Sequence, residues 1–209
     1  NYEDREIYVM NSDGSGAIRL TNNALTNYSP SFSPDGKTVC YGEDGKIKIA
    51  AADGNGSASI VTGATDVSNT EPIFTSDGTK IIFSSSHKEG SWYVQDGTFI
   101  IGTTGGERVK ISSSSLENAC LTPDGKIAYV KTGKLYTMNT DGSGVTELLP
   151  SIESGAASFS PDGGFVIYEK AKNGVSDIWA LASNGTGEKI RITNGNIGQL
   201  VTGKVAWGR

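Results

Sequence analysis

Histidine and cysteine are scarce in this 209-residue chain, and their scarcity excludes several kinds of site. His87 is the only histidine, so a metal site built from several imidazoles of one chain is impossible. The two cysteines, Cys40 and Cys120, lie in separate apolar runs. Cysteines placed in this way are more often buried thiols than a disulfide or a metal pair. We therefore expect two buried thiols, no metal site and no cofactor.

Long apolar runs and a surplus of positive charge are absent as well. No segment approaches the ~18 consecutive apolar residues of a membrane helix. The 18 Lys and Arg residues are outnumbered by 23 Asp and Glu residues, which gives a formal net charge of −5. This balance would repel a phosphate backbone, so we expect no nucleic-acid partner and no membrane span. The chain starts at Asn1 inside a polar run, which suggests a processed or excised fragment.

Glycine, by contrast, is abundant, and it punctuates an internal repeat. The chain has 28 glycines, about twice the usual share. One five-residue pattern ending in Asp-Gly occurs four times, and Asp-Gly favours tight turns because both residues tolerate positive φ. The four copies are Phe32-Ser33-Pro34-Asp35-Gly36, Phe74-Thr75-Ser76-Asp77-Gly78, Leu121-Thr122-Pro123-Asp124-Gly125 and Phe159-Ser160-Pro161-Asp162-Gly163.

Short apolar runs flank each copy of the pattern, so the repeat consists of four strands, A to D. The runs are rich in β-branched and aromatic residues, as expected for a meander. A four-stranded unit of roughly 42 residues that repeats around an axis is typical of a β-propeller. The sequence thus predicts an all-β chain with blades at about residues 28–62, 70–112, 118–149 and 156–193.

The two ends of the chain predict a fifth blade. Residues 1–21 match strands C and D, whereas residues 199–209 match strands A and B. Joined, they would form one composite blade, which removes the exposed strand edges of an open array. We therefore expect a single five-bladed β-propeller over residues 1–209, made of four-stranded antiparallel blades, closed by both termini and monomeric.

The repeat resembles TolB-type, WD40-like propeller repeats. The resemblance rests on the Ser33-Pro34-Asp35-Gly36-Lys37 turn and on the segment 7–21, which reads Ile-Tyr-Val-Met-Asn-Ser-Asp-Gly-Ser-Gly and then Arg-Leu-Thr. It covers essentially the whole chain, and such repeats also occur in the propeller domains of prolyl-oligopeptidase-type peptidases. The resemblance implies a protein-binding platform or a gating domain in a periplasmic or extracellular bacterial protein. It assigns no functional residue, because the matching positions belong to turns and core.

The residues of the repeated pattern have structural interpretations. The aspartates are expected to accept backbone N–H groups within their own turns. The apolar residue that opens each copy is expected to pack between blades, and these residues are Phe32, Phe74, Leu121 and Phe159.

Patterns that would indicate catalysis or metal binding are weak. No Gly-x-Ser-x-Gly elbow accompanies His87. Residues 11–16 and 139–144 match the first half of a calcium loop, but neither has the glutamate that such a loop needs at position 12, so we interpret both as hairpin turns. Four carboxylates near the D–A connections would be able to ring a channel mouth and bind a cation, although solvated loop charge is the commoner explanation: Asp66, Glu71, Glu117 and Glu153.

One connection in the second repeat is unusually long. Residues 84–97 replace the three or four residues that join strands B and C elsewhere, and they include His87, Trp92 and Tyr93. Long loops with aromatic residues often serve recognition, although these residues would also suit an extra hairpin that covers the blade edge. The candidate binding residues are Trp92, Tyr93 and His87, together with Glu71 and Asn118 at the D–A connections on the same face.

Two functions of different classes remain open from the sequence. The first is a non-enzymatic module that binds a protein or peptide on the face formed by the D–A and B–C loops. The alternative is a carbohydrate-active or peptidase-associated, substrate-gating propeller. Intrinsic glycosidase chemistry would need two inward carboxylates at a defined separation. The inner strands carry few acidic residues, so the first function is our expectation.

Overall fold

The computed structural model describes residues 5–62, 67–116, 119–150, 157–160, 162–172, 175–184 and 186–193. Over these ranges the chain forms β-strands and turns, and it contains no helix long and apolar enough to cross a membrane. It divides into two compact units, Asn1–Ser115 and Leu116–Arg209.

The described part of the N-terminal unit contains one two-stranded and two four-stranded antiparallel sheets, each a meander of consecutive strands. The two-stranded sheet comprises β1 (Tyr8–Val9) and β2 (Ile18–Arg19). The first four-stranded sheet comprises β3 (Asn27–Phe32), β4 (Thr38–Glu43), β5 (Lys46–Ala51) and β6 (Ser59–Ile60). The second comprises β7 (Val67–Phe74), β8 (Lys80–Glu89), β9 (Trp92–Gly102) and β10 (Val109–Ser112).

The C-terminal unit, as far as it is described, contains two more four-stranded meanders. One comprises β11 (Cys120–Leu121), β12 (Ile127–Lys131), β13 (Lys134–Met138) and β14 (Thr146–Leu149). The other comprises β15 (Ala157–Phe159), β16 (Phe165–Lys172), β17 (Val175–Ala182) and β18 (Ile190–Arg191). The predicted four-stranded repeat is therefore confirmed in four copies. Residues 199–209, which the sequence assigns to the composite blade, lie outside the described residues, and the blade limits and single-domain organisation stay predictions.

A buried hydroxyl group organises the turn between the first two strands of every four-stranded sheet. Ser33 and its counterparts Thr75, Thr122 and Ser160 are all less than 9% exposed. Each hydroxyl donates to the aspartate two residues later, for example from Ser33 Oγ to Asp35 Oδ1 at 2.7 Å. Each also accepts the N–H group at the start of the second strand, and these donors are the amides of Thr38, Lys80, Lys126 and Phe165.

The aspartate of the turn completes the same network. Asp35 Oδ1 accepts the N–H of Lys37 at 3.1 Å, and Asp162 Oδ1 accepts the N–H of Gly164 at 3.0 Å. Asp77 does the same with Thr79. The expected bonding of the turn aspartates to local N–H groups is therefore confirmed in these three turns. In the remaining turn Asp124 pairs instead with Lys126 Nζ at 3.0 Å.

The proline of the repeated pattern packs against the turn of the next sheet. A Cβ atom placed on Gly163 would lie 2.9 Å from Pro123 Cγ, and Gly163 has a φ of +73°. Any other residue would therefore clash with Pro123 and strain the backbone. The turns of neighbouring sheets in the N-terminal unit meet in the same way, through Pro34 and Gly78.

Apolar clusters join the faces of neighbouring sheets within each unit. In the N-terminal unit, Cys40 and Ile47 pack with Phe74, Phe83 and other residues of the next sheet. A smaller cluster joins the two-stranded sheet to the first four-stranded sheet, and its members are Ile7, Val39, Tyr41 and Ala50. In the C-terminal unit the cluster consists of Ala128, Leu135, Leu149, Ala157, Val166, Tyr168 and Leu181. Each sheet thus buries a face against a neighbour, and the β3–β6 sheet contributes residues of both faces.

The predicted packing between blades is wrong for Phe32, and the predicted burial of both thiols holds for Cys40 only. Phe32 is 52% exposed, whereas Phe74, in the same position of the next sheet, is 3% exposed. Phe32 shares a sheet face with its cross-strand partner Val39, and that face is covered by a sheet with only two described strands. Leu121 and Phe159 are half-buried, and Phe159 packs against the cluster of the C-terminal unit as predicted. Both cysteines are free thiols. Cys40 is fully buried, whereas Cys120, the first residue of the short edge strand β11, is half-buried.

The bridging hydroxyl is expected to be a major local source of stability. Replacing Thr122 by Val keeps the shape of the side chain but leaves the N–H of Lys126 without its hydroxyl acceptor and removes the hydroxyl donor from Asp124 Oδ1. We expect the free energy of unfolding in urea to fall by about 1–3 kcal/mol. Thr137→Val, at a half-buried position of β13, is the matched control and should change stability by less than about 0.5 kcal/mol. Equal losses in the two variants would contradict the assignment.

The same turns should make the protein sensitive to acid. The hydroxyl of Thr75, followed by the N–H of Thr79, lowers the pKa of Asp77 from its ordinary value of 3.8. Because the pKa is lower in the folded state, the ionised form stabilises the fold above about pH 4, and this contribution is lost as the pH falls through the lowered value. The free energy of unfolding of Asp77→Asn should therefore fall less than that of the wild type between about pH 5 and pH 2. The difference between the two proteins should persist in ~1 M salt because its main cause is a hydrogen bond. If the free energies of unfolding of the variant and the wild type change in parallel with pH, the prediction is refuted.

Candidate functional site

The long connection in the second repeat is a β-hairpin. Of the two interpretations that the sequence left open for residues 84–97, the extra hairpin is correct as to conformation, because the segment continues the pairing of β8 with β9. Strands β8 and β9 stay paired as far as Glu89 and Trp92, and the chain turns through Gly90 and Ser91. The segment contains Ser-Ser-Ser-His-Lys-Glu, which lacks the alternation of apolar and polar residues by which strands are recognised.

Aromatic side chains are exposed on both faces of the hairpin tip. Trp92 is 79% exposed, Tyr93 62% and Val94 39%. Because side chains alternate along a strand, Trp92 and Val94 share one face, and Tyr93 lies on the other. The hairpin thus carries a large apolar surface outward instead of folding it onto its own blade.

His87 is held on the face of the hairpin that carries Trp92. It pairs in register with Val94, and its Nδ1 lies 2.7 Å from Asp96 Oδ1. The register shifts between Ser85 and Ser86, so β9 is bulged near Asp96. The short contact fixes the imidazole ring while the side chain stays 45% exposed.

Hydroxyl groups anchor the base of the hairpin. Ser84 and Ser85 are buried at 3% and 1% exposure. Ser115 Oγ donates to Ser84 Oγ at 2.8 Å, and Arg108 Nη1 donates to Ser85 Oγ at 3.0 Å. The Arg108 guanidinium also lies 4.4 Å from the centre of the Phe99 ring. The base is therefore rigidly packed. No sequence pattern indicates Arg108, because its hydrogen-bond partner Ser85 is distant along the chain.

Glu71 lies inside strand β7, whereas the sequence placed it just before that strand. Its φ of +53° and the register shift between Thr70 and Ile73 mark a β-bulge. Ser29, which also precedes a proline, has a φ of 50° at the matching point of β3. The bulge lies four residues along β7 from Val67, the partner of His87, which corresponds to roughly 13 Å. Glu71 is therefore not part of the hairpin tip.

The other predicted site residues are only partly described. Asn118 lies outside the described residues, as do Asp66, Glu117 and Glu153. In the part of the chain that is described, no three His, Cys, Asp or Glu side chains lie close enough together to hold a metal ion. The two calcium-like segments form hairpin turns, in which the N–H groups of Ser15 and Ser143 donate to Asp13 and Asp141.

Comparisons with known proteins identify the fold. No family model matches the sequence, and no curated protein matches it significantly. A protein described as TolB from Agrobacterium tumefaciens has a similar structure, with a TM-score of 0.69, 20% identity, and coverage of 90% of this chain and 69% of that one. A chain in a nidogen/laminin complex gives a TM-score of 0.65, with 15% identity over 86% of this chain and 69% of that one.

An enzyme is among the similar structures. Oligogalacturonate lyase in complex with manganese gives a TM-score of 0.57, with 13% identity over 93% of this chain and 72% of that one. The chain therefore has an all-β propeller fold with four-stranded blades. Since this fold occurs in both a lyase and a TolB protein, the fold does not determine the function.

Proposed function

We propose that the chain is a non-enzymatic propeller module, acting as a monomer, that binds a protein or peptide through the tip of the β8–β9 hairpin. Trp92 and Tyr93 supply the contact surface, and His87 supplies a polar contact beside them. The TolB-type resemblance of the repeats supports a place in a bacterial envelope or secreted protein. The finding that a similar chain occurs in a nidogen/laminin complex supports a protein as the ligand.

The exposed indole of Trp92 is the observation that carries this proposal. At 79% exposure, it buries little surface in the isolated chain. Transferring a large aromatic side chain from water into an interface releases roughly 1.5–3 kcal/mol, and tryptophan and tyrosine are the residues most often found at energetic hot spots. A partner would therefore gain more from this tip than from an ordinary polar hairpin.

The geometry of the hairpin also favours binding. The two strands are paired up to Glu89 and Trp92, and the base is anchored through Ser84 and Ser85. The backbone is therefore ordered before a partner arrives, which lowers the entropic cost of association. The contact between His87 and Asp96 fixes a polar group next to the indole, as in interfaces where a polar contact defines orientation.

A carbohydrate-active role has weaker support. It would require a pair of carboxylates at a defined separation. The inner strands of the repeats carry few acidic residues. The similarity to oligogalacturonate lyase concerns the fold and supplies no matching residue.

A capture experiment tests the binding proposal. The immobilised chain is exposed to a bacterial envelope and secreted-protein extract and compared with a Trp92→Ser/Tyr93→Ser variant. The variant should retain its partner at least about tenfold less well, because each hot-spot truncation costs more than about 1 kcal/mol. Since both side chains are exposed, its thermal midpoint should stay close to that of the wild type.

The matched control is a double variant that removes exposed apolar side chains outside the hairpin. Val109→Ser/Val145→Ser also removes two exposed apolar side chains, each 57% exposed, and should retain the partner like the wild type. If no protein binds in a manner that depends on the hairpin, or if both double variants lose it equally, the proposed site is refuted.

We also propose that the propeller has five blades, the fifth formed by β1 and β2 with residues 199–209. The repeat count supports this closure, as does the contrast between the exposed Phe32 and the buried Phe74. Phe74 faces a sheet of four strands, whereas Phe32 faces one with two described strands. Two added strands would supply the cover that Phe32 lacks.

Val205→Pro tests the closure in the full chain. Val205 lies in the predicted second strand of the composite blade, where proline would remove a donor from the strand ladder. We expect faster amide exchange in β1 and a thermal midpoint lower by roughly 5 °C or more. Lys204→Thr, which keeps the donor, is the control. Unchanged β1 exchange in the proline variant would contradict a closed fifth blade.

A further inference from the structure

A cleft of about 370 Å³ opens in the C-terminal unit, at the end where the first two strands of each sheet are joined. Its lining comes from the β11–β12 turn and the β15–β16 turn, together with residues of β13 and β14. This volume falls within the usual range of small-ligand sites, about 300–1,000 Å³. The cleft lies in a different unit from the β8–β9 hairpin, so its function does not depend on the proposal above.

Three apolar side chains form one part of the cleft wall, and most of the other lining residues are polar or charged. Pro123, Leu148 and Phe159 line it, and the latter two are half-buried. The close approach of Gly163 to Pro123 brings the two turns together at this side of the cleft. Such walls suit an aliphatic stem or a flat apolar group.

The charged groups of the cleft sum to one negative charge. Lys126 Nζ lies 3.0 Å from Asp124 Oδ2, so these two lining residues compensate each other. Asp162 also lines the cleft, and in the described part of the chain no cation pairs with it. Its Oδ1 accepts both turn bonds, from Ser160 Oγ and from the N–H of Gly164. Its Oδ2 therefore remains available to a ligand.

Hydrogen bonding keeps this carboxylate ionised. The hydroxyl of Ser160, followed by the N–H of Gly164, lowers the pKa of Asp162 below the ordinary aspartate value. The negative charge is therefore present at neutral pH, and protonation of the group does not compete with a cationic ligand.

We propose that this cleft binds an alkylguanidinium or alkylammonium group, with its aliphatic stem between Pro123, Leu148 and Phe159 and its charge against Asp162. A lysine or arginine side chain of a polypeptide and a free small amine share this chemistry. Apolar side chains beside a single uncompensated carboxylate favour a cation with an aliphatic stem over an anion and over a fully polar solute.

Titration followed by amide NMR tests the proposal with defined probes. N-acetyl-arginine methylamide is compared with the corresponding citrulline derivative, which has nearly the same shape and no charge. We expect shifts confined to the cleft, reported by the amides of Gly125, Gly163 and Gly164, and an affinity for the arginine derivative about threefold or more above that for the citrulline derivative. Equal binding of the two probes, or shifts spread over the whole chain, would overturn the proposal.

Two charge variants should act in opposite directions. Asp162→Asn keeps an Oδ1 acceptor for the turn but removes the charge, so the preference for the arginine derivative should disappear. Lys126→Gln leaves Asp124 uncompensated and should raise the affinity about two- to threefold. Asp77→Asn makes the same change in a turn that does not line the cleft and is the matched control. If the Asp162 variant behaves like the Asp77 variant, the assignment is wrong.

The source of the cation is distinguished with a pentapeptide. Acetyl-Gly-Ser-Arg-Ser-Gly-amide adds backbone on both sides of the arginine. An affinity about tenfold above that of the single residue indicates a polypeptide ligand, and equal affinities indicate a free small cation. Both results support the cationic site. If neither the arginine derivative nor the pentapeptide shows a charge-dependent shift, the proposal is wrong.

Discussion

The hydrogen bond from a buried serine or threonine to the turn aspartate is the interaction on which the rest of this structure depends. It occurs in all four complete sheets, from Ser33, Thr75, Thr122 and Ser160. The same hydroxyl accepts the first N–H of the second strand, so one side chain fixes the turn and the start of the ladder together. Because register decides which side chains face the neighbouring sheet, the turn also determines which residues form the core.

The two ends of each sheet differ in the connections that they carry. At the end with the repeated turns, short and nearly identical connections pack closely, as shown by Pro34 with Gly78 and Pro123 with Gly163. At the opposite end the connections vary in length, and β8 and β9 extend into a hairpin with exposed aromatic side chains. A scaffold fixed at one end tolerates such extensions at the other, which is how many repeat folds acquire binding surfaces. The cleft beside Asp162 lies at the end with the repeated turns, so space remains between neighbouring turns at this end too.

Much of the fold could be predicted because its signals are local. Asp-Gly spacing revealed the repeat, and short runs between turns revealed four strands per copy. The hairpin could be named only as one of two interpretations because residues 84–89 do not alternate between apolar and polar, and the bulge at Glu71 was not predicted because its positive φ is a feature of the backbone. The exposure of Phe32 depends on what covers its face of the sheet, and the cleft depends on two turns distant along the chain. Trp92 and Tyr93 were singled out from the sequence, but only the structure shows how exposed they are.

Amide hydrogen exchange at four positions tests the central role of the buried hydroxyl most directly. The N–H groups of Thr38, Lys80, Lys126 and Phe165 donate to the four hydroxyls. The amides of Ser15 and Ser143 donate to aspartates in exposed turns and serve as the comparison. If the hydroxyl network anchors the repeat, the four amides exchange as slowly as those in the centres of the strands, whereas the two comparison amides exchange quickly. Exchange of the four at the rate of the exposed turns would contradict this account.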